Sequence, residues 1–281
     1  MNYQHKYSKY KNKYLKLKSI MQFGGNDFKK TIDNFLNSNK SFIFINIGLT
    51  DEEIQLINSI KINFDIIKKN NLSYAGVYYN YSLYDLIYNF ILHLGNEEKE
   101  SHQITHILIT KVIEPYLKAM NHTSLWFEIR IMNPINEFEI PRWHIDGFFY
   151  KANEYTMDNK LQQKLAGIFY GPGTLFKKHD DVIVNKYLEL YRKLYKNFDR
   201  KQFNGQLDME NRKIIAEQLS QYEEVQPSNN EIAIFIVGDE KRSAVHSEPN
   251  MTTNRFFYSI VSGDKEDIKE LARNRGLEFK E

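Results

Sequence analysis

The stretch PRWHIDGFFY, residues 141 to 150, puts an imidazole and a carboxylate two residues apart. Its apolar and aromatic content predicts a β-strand, on which His144 and Asp146 point to the same face. Such a pair suits a metal ion, because a neutral imidazole and an ionised carboxylate both offer lone pairs. It also suits a buried polar pair satisfied by its neighbours. With 8 histidines in the chain the spacing arises readily by chance, so the surroundings must decide.

Two other pairs compete. His179-Asp180-Asp181 repeats the spacing, but it lies in a Lys-rich stretch ahead of a helical pattern, where the aspartates read as cap and first-turn acids. His102 and His106 are spaced i, i+4 on a predicted helix. No glutamate follows His102 as a zinc-protease motif requires, and no third ligand is evident, so they read as ordinary helix histidines.

The elements that position these residues fall into blocks. Residues 26–122 read as a mostly helical layer, with SFIFINI (41–47) a short strand and TDEE (50–53) a capping box in which Thr50 and Glu53 cap each other. Residues 123–179 and 225–262 read as a strand core. In SLWFEIRIMN, Leu125, Phe127, Ile129 and Ile131 share one face, while Trp126, Glu128 and Arg130 share the other. That second face is polar enough to line a pocket. KLAGIFYGPGTLF is a strand broken at Gly171-Pro172-Gly173. NEIAIFIVGD and TNRFFYSIVS are later strands, and residues 180–224 form a helical insert between the two strand blocks. Residues 263–281 read as a C-terminal tail.

After the insert comes RSAVHSEPN, with His246 beside a strand, and nine residues later Arg255 opens TNRFFYSIVS. The order His-x-Asp, distal His, then Arg resembles the iron(II)/2-oxoglutarate-dependent oxygenases over roughly residues 123–262. The resemblance implies an α+β chain whose core is a double-stranded β-helix, a small jelly roll. It implies that His144, Asp146 and His246 hold Fe(II), that Arg255 binds 2-oxoglutarate as cosubstrate, and that O2 is the oxidant. Two imidazoles and one carboxylate on one face of an iron leave the opposite positions open. The planar fork of an arginine fits the far carboxylate of the cosubstrate.

PRWHID, YGPGT and AVHSEP are further similar to an uncharacterised bacterial family with WHxD, YRGPGT and VHRSPP segments in that order, which would bring Tyr170 and Thr174 to the site. Trp126, Arg130, Tyr170 and Thr174 are thus the candidates for the pocket wall. The chain departs from the wider pattern where Phe256 and Phe257 follow Arg255, so the frequent R-x-S is missing. The R-x-N-x-T-x-R ending of the nucleic-acid dealkylases is missing too. The reading this supports is a hydroxylase of unassigned substrate. The alternatives are a jelly-roll virion or scaffold protein without catalysis, and a cupin-like metal enzyme that does not use 2-oxoglutarate.

Residues 1–25 form a separate basic segment. Tyr3, Tyr7, Tyr10, Tyr14, Leu17 and Met21 fall on one helical stripe, six lysines fill the other faces, and Gly24-Gly25 ends the pattern. It resembles a KYxxKYKxKYLxLK signature of large DNA virus proteins. This implies a virus-encoded chain in the host cytoplasm or virion, with a handle for an acidic partner or virion component. Without those six lysines, the 36 acidic residues outnumber the remaining basic ones, so the body is not built for nucleic acid. The absence of cysteine excludes disulfides and thiolate sites, and no apolar run of membrane length or secretory leader is present, which predicts an intracellular protein.

Overall fold

The computed structural model describes residues 25–64, 71–78, 82–151, 161–178, 180–196 and 205–281. The basic segment before Gly25 and His179 of the second His-x-Asp lie outside them. The fold is α+β. In chain order the elements are α1 (Gly25–Leu36), β1 (Phe42–Asn46), α2 (Asp51–Asn58), β2 (Asn71–Val77), α3 (Ser82–His93), α4 (Glu98–Ile107), α5 (Glu114–Met120), β3 (Ser124–Met132), β4 (Gln162–Tyr170) and β5 (Leu175–Lys177). They continue with α6 (Asp180–Leu194), α7 (Gly205–Leu219), β6 (Glu224–Val225), β7 (Glu231–Val237), β8 (His246–Ser247), β9 (Arg255–Gly263), α8 (Lys265–Asn274) and β10 (Phe279–Lys280).

Ten strands make two sheets among the described residues. The larger runs β1-β7-β4-β9-β3-β2-β10, antiparallel except for β10, which pairs parallel with β2. The smaller runs β6-β5-β8. Alternation along the strands assigns the two faces of the larger sheet. Leu125, Phe127, Ile129, Leu165, Ile232, Ile234, Tyr258 and Ile260 pack in one cluster with Ile32, Ile87, Ile104, Val112 and Tyr116 of the helical layer. On the opposite face Ala166, Ile168, Ala233, Phe235, Val237 and Phe257 meet Phe176 of the small sheet. Ile234 is fully buried at the middle of β7, flanked by Ile43 and Leu165 on the neighbouring strands. Ile234→Ala should cost about 2–5 kcal/mol in a denaturant melt.

The local rules hold where they are strongest. Thr50 and Glu53 form the capping box at the start of α2, with the Glu53 N–H donating to Thr50 Oγ1 and the Thr50 N–H donating to Glu53 Oε2. Pro115 lies in the first turn of α5, just after a wide π turn (Leu108–Ile113) that joins α4 to α5; lacking an N–H, the proline cannot extend the helical hydrogen-bond ladder at that point.

Three expectations need correction. PRWHIDGFFY is not a strand: among its residues only His144 pairs, in a single antiparallel bridge with His246. Its backbone is extended, but the larger sheet is filled without it. The block read as helical contains β2, whose only regular pattern is three consecutive buried residues at its end. Gly76 is required there, because a Cβ would sit 2.5 Å from the Lys280 carbonyl of β10. The supposed tail carries α8 and β10. The Asp264 N–H donates to Asp267 at the start of α8, and Ile268, Leu271 and Ala272 pack on Ala75, Trp126 and Val261.

Candidate metal centre

The backbone brings the sequence candidates together from distant segments. His144 and His246 exchange two backbone hydrogen bonds, N–H to carbonyl, at 2.9 Å each. This adds the His144 segment to the edge of the small sheet, where Phe176 already pairs with His246. One step further, the Asp146 carbonyl accepts from the Gly238 N–H at 2.8 Å, which ties the segment to the end of β7. Gly238 turns there at φ +75°, and a Cβ would strike the Phe148 ring at 2.4 Å.

The side chains follow from that frame. His144 Nδ1 lies 2.8 Å from the Arg142 carbonyl, and His246 Nδ1 lies 3.0 Å from the Ala244 carbonyl. A carbonyl only accepts, so each Nδ1 donates, and in a neutral ring so held it is Nε2 that presents the lone pair. Both Nε2 atoms face Asp146: His144 Nε2 is 3.9 Å from Oδ1, and His246 Nε2 is 3.7 Å from Oδ2. One donor atom from each of the three lies within 4.8 Å of the others, and no other such group exists among the described residues. Bonds of about 2.0–2.2 Å allow ligand atoms up to ~4.3 Å apart on one ion, and both nitrogen–oxygen separations, 3.9 and 3.7 Å, fall within that reach. Two neutral nitrogens and one carboxylate form the donor set suited to iron(II) or a similar first-row metal. Fixing each ring through its other nitrogen is the usual support for a metal-binding histidine.

Electrostatics agrees with that state. Burial, and then the neighbouring His144, pushes His246 down to about 3, so it is neutral near pH 7 and needs no proton removed before binding a metal. Burial alone would raise the Asp146 carboxyl, but Lys164 and the two imidazoles hold it far below the usual carboxylate range. Lys164 is the residue that sequence reading missed. It projects from β4, with its Nζ 2.9 Å from Asp146 Oδ2.

Arg255 is only 2% exposed at the start of β9. Its Nε donates to the Pro172 carbonyl at 2.9 Å, its Nη2 donates to Thr174 Oγ1 at 3.1 Å, and its guanidinium lies 4.5 Å from the Phe257 ring centre. No carboxylate stands within ion-pair distance among the described residues. The acid whose charge acts on it most, Glu248, is engaged with Arg142 at 2.5 Å. Burial lowers the guanidinium to about 10, which leaves it charged at pH 7. Thr174 immediately precedes β5, whose Phe176 pairs with His246.

The other pocket candidates are placed differently. Trp126 is buried beneath α8, its indole N–H donating to Ser73 Oγ and its ring covered by Arg275 at 4.1 Å. The polar face of β3 is thus partly closed by the C-terminal helix, a contact that strand parity does not reveal. Arg130 is exposed and paired with Glu128 at 2.7 Å, though its charge still acts on Arg255. Tyr170 is 36% exposed at the end of β4. His102 stacks on Tyr88 at 4.0 Å and bonds Tyr84, and burial is the main cause that lowers the His106 imidazole below its ordinary range.

A cavity of about 410 Å³ opens over His144 and Asp146. Its far wall is the helical insert: Tyr187 and Tyr191 of α6 and Tyr195 just past its end, with Asp208, Arg212 and Ile215 of α7. The Tyr191 and Tyr195 rings stack at 4.7 Å, and the Tyr195 hydroxyl donates to Asp208. Arg212 clamps the wall by donating to the Glu137 and Ile140 carbonyls. A larger hollow of about 650 Å³ beside Trp143 holds none of the three ligands.

No protein-family profile and no curated protein matches the chain. Solved structures do. The Kdo hydroxylase KdoO, described as a non-heme Fe(II) alphaketoglutarate dependent dioxygenase, is similar at 12% identity and TM-score 0.43, over 88% of this chain and 87% of its own. A Pseudomonas putida prolyl-4-hydroxylase is similar at 8% identity and TM-score 0.38, over 84% and 98%. A viral collagen prolyl hydroxylase from Paramecium Bursaria Chlorella virus-1 gives 11% and 0.37, over 79% and 89%. At these values the likeness decides neither fold nor chemistry, which rest on the side chains above.

Proposed function

We propose that the protein is an iron(II)- and 2-oxoglutarate-dependent dioxygenase that hydroxylates a C–H bond. The observation that carries the reading is the convergence of the His144 and His246 Nε2 lone pairs on the Asp146 carboxylate. The two facing sheets are taken as the double-stranded β-helix of that class. Bound iron(II) would let O2 act as the oxidant, one oxygen atom going to succinate as 2-oxoglutarate loses CO2 and the other to the hydroxylated C–H bond.

The chain's own residues would do the rest. His144, Asp146 and His246 would hold the metal, with the Arg142 and Ala244 carbonyls fixing the two rings. Arg255 would bind the far carboxylate of the cosubstrate, helped by the Thr174 hydroxyl. Its burial without an acidic partner within 4 Å among the described residues supports this role, because an isolated buried cation is costly and an anion relieves the cost. The tyrosine-lined cavity would receive the primary substrate, and the insert would shield it from water.

The test is an anaerobic titration of the Fe(II)-loaded protein with 2-oxoglutarate, read as the weak visible band of the chelate, followed by succinate release in air. Bound iron with no band and no succinate would sink the proposal in favour of a scaffold or a cupin-like enzyme. Once a substrate is known, Tyr191→Ala should raise its KM about tenfold, the loss of one aromatic contact of ~1.4 kcal/mol. Substrate-free 2-oxoglutarate consumption should stay the same.

A further inference from the structure

We propose that Lys164 is a positioning residue of the metal centre, holding Oδ2 of Asp146 so that the carboxylate offers the metal a single oxygen. The inference rests on the metal reading above but not on the choice of cosubstrate. Lys164 lies on β4, hydrogen-bonded between β7 and β9, with Val261 and Phe235 as its cross-strand partners. A strand flanked on both sides is an unfavourable place for an ammonium. Lys164 nonetheless points to the face that meets the small sheet, its Nζ near the Phe149 and Phe235 rings. Asp146 is its only ion-pair partner among the described residues.

Direct attraction to a bound metal does not explain a cation there. It repels a divalent ion bound to the same carboxylate, and the repulsion is strong at such range. Its benefit must lie in geometry. A carboxylate that binds through both oxygens takes two positions on the metal. With two imidazoles, that would leave one position fewer for the ligands that must enter. The Lys164 ammonium occupies Oδ2 at 2.9 Å and keeps the second oxygen engaged. The fold thus gives up affinity for an open coordination sphere.

The experiment uses the full chain and Mn(II) alone, without 2-oxoglutarate, and measures affinity together with water-proton relaxation of the bound ion. The wild type should show a high relaxation enhancement. Lys164→Met should bind Mn(II) about tenfold or more tightly and lose about a third of that enhancement, as one water of roughly three is displaced. Lys164→Arg should restore both values. A folded Lys164→Met with unchanged relaxation, or with weaker Mn(II) binding, would overturn the inference. If Lys164→Met fails to fold, Lys164→Gln keeps a donor without the charge and should bind more tightly with its enhancement preserved; equal or weaker binding would overturn it. Failure of the wild type itself to bind Mn(II) would sink the metal reading, and this inference with it.

Discussion

Asp146→Ala is expected to abolish 2-oxoglutarate turnover and to weaken metal binding about a thousandfold, or ~4 kcal/mol, since it removes the only anionic ligand of the set. The same change strands the Lys164 ammonium, which is mostly buried and has no other acidic partner among the described residues. The variant should therefore also melt earlier. Breaking a buried pair costs about 3–5 kcal/mol, but both side chains keep some contact with water, so the expected cost is nearer ~1–2 kcal/mol. The two effects separate in the double variant Asp146→Ala/Lys164→Met, which should regain stability without regaining metal. Metal content, cobalt titration and thermal melting make the comparison. Full turnover in Asp146→Ala would remove it from the metal centre.

Arg255→Ala should raise the 2-oxoglutarate concentration for half-saturation at least ~100-fold, about 2.8 kcal/mol, while leaving metal affinity unchanged. The guanidinium is buried, charged at pH 7 and has no carboxylate within 4 Å among the described residues, so its loss removes a cation free to pair with the far carboxylate of the cosubstrate. The change also deprives Pro172 and Thr174 of donors and uncovers the Phe257 ring. Arg255→Met keeps the bulk over the ring and isolates the charge. An unchanged half-saturation in both variants would point to a metal enzyme that does not use 2-oxoglutarate.

Much of this arrangement is legible in the sequence. The alternation in β3 separates Leu125, Phe127, Ile129 and Ile131 onto the helix-covered face, and the Thr50–Glu53 capping box is local chemistry needing no tertiary context. His144, Asp146, His246 and Arg255 are visible as an ordered set. What the sequence hides is decided by packing between distant segments. The extended backbone around His144 is held by one bridge to His246 and one bond from Gly238, so no strand pattern is needed to place it. The burial of Trp126 depends on α8, whose own start is marked by Asp264 and Asp267 and was readable. Lys164 looks like an ordinary solvent-facing residue of an alternating strand. Its meaning appears only once β7 and β9 are known to flank β4 and Asp146 to lie opposite.

The helical insert begins after β5 and ends at β6, and these strands are hydrogen-bonded to each other, with Lys177 opposite Glu224. In topological terms α6 and α7 are an overgrown hairpin loop, whose two ends would meet even if its contents were different. None of the three metal donors, and neither Lys164 nor Arg255, lies within it. The wall that meets a substrate and the residues that would do the chemistry are therefore separate modules of one chain. Replacement of the loop could change what is recognised while leaving the ligand set in place.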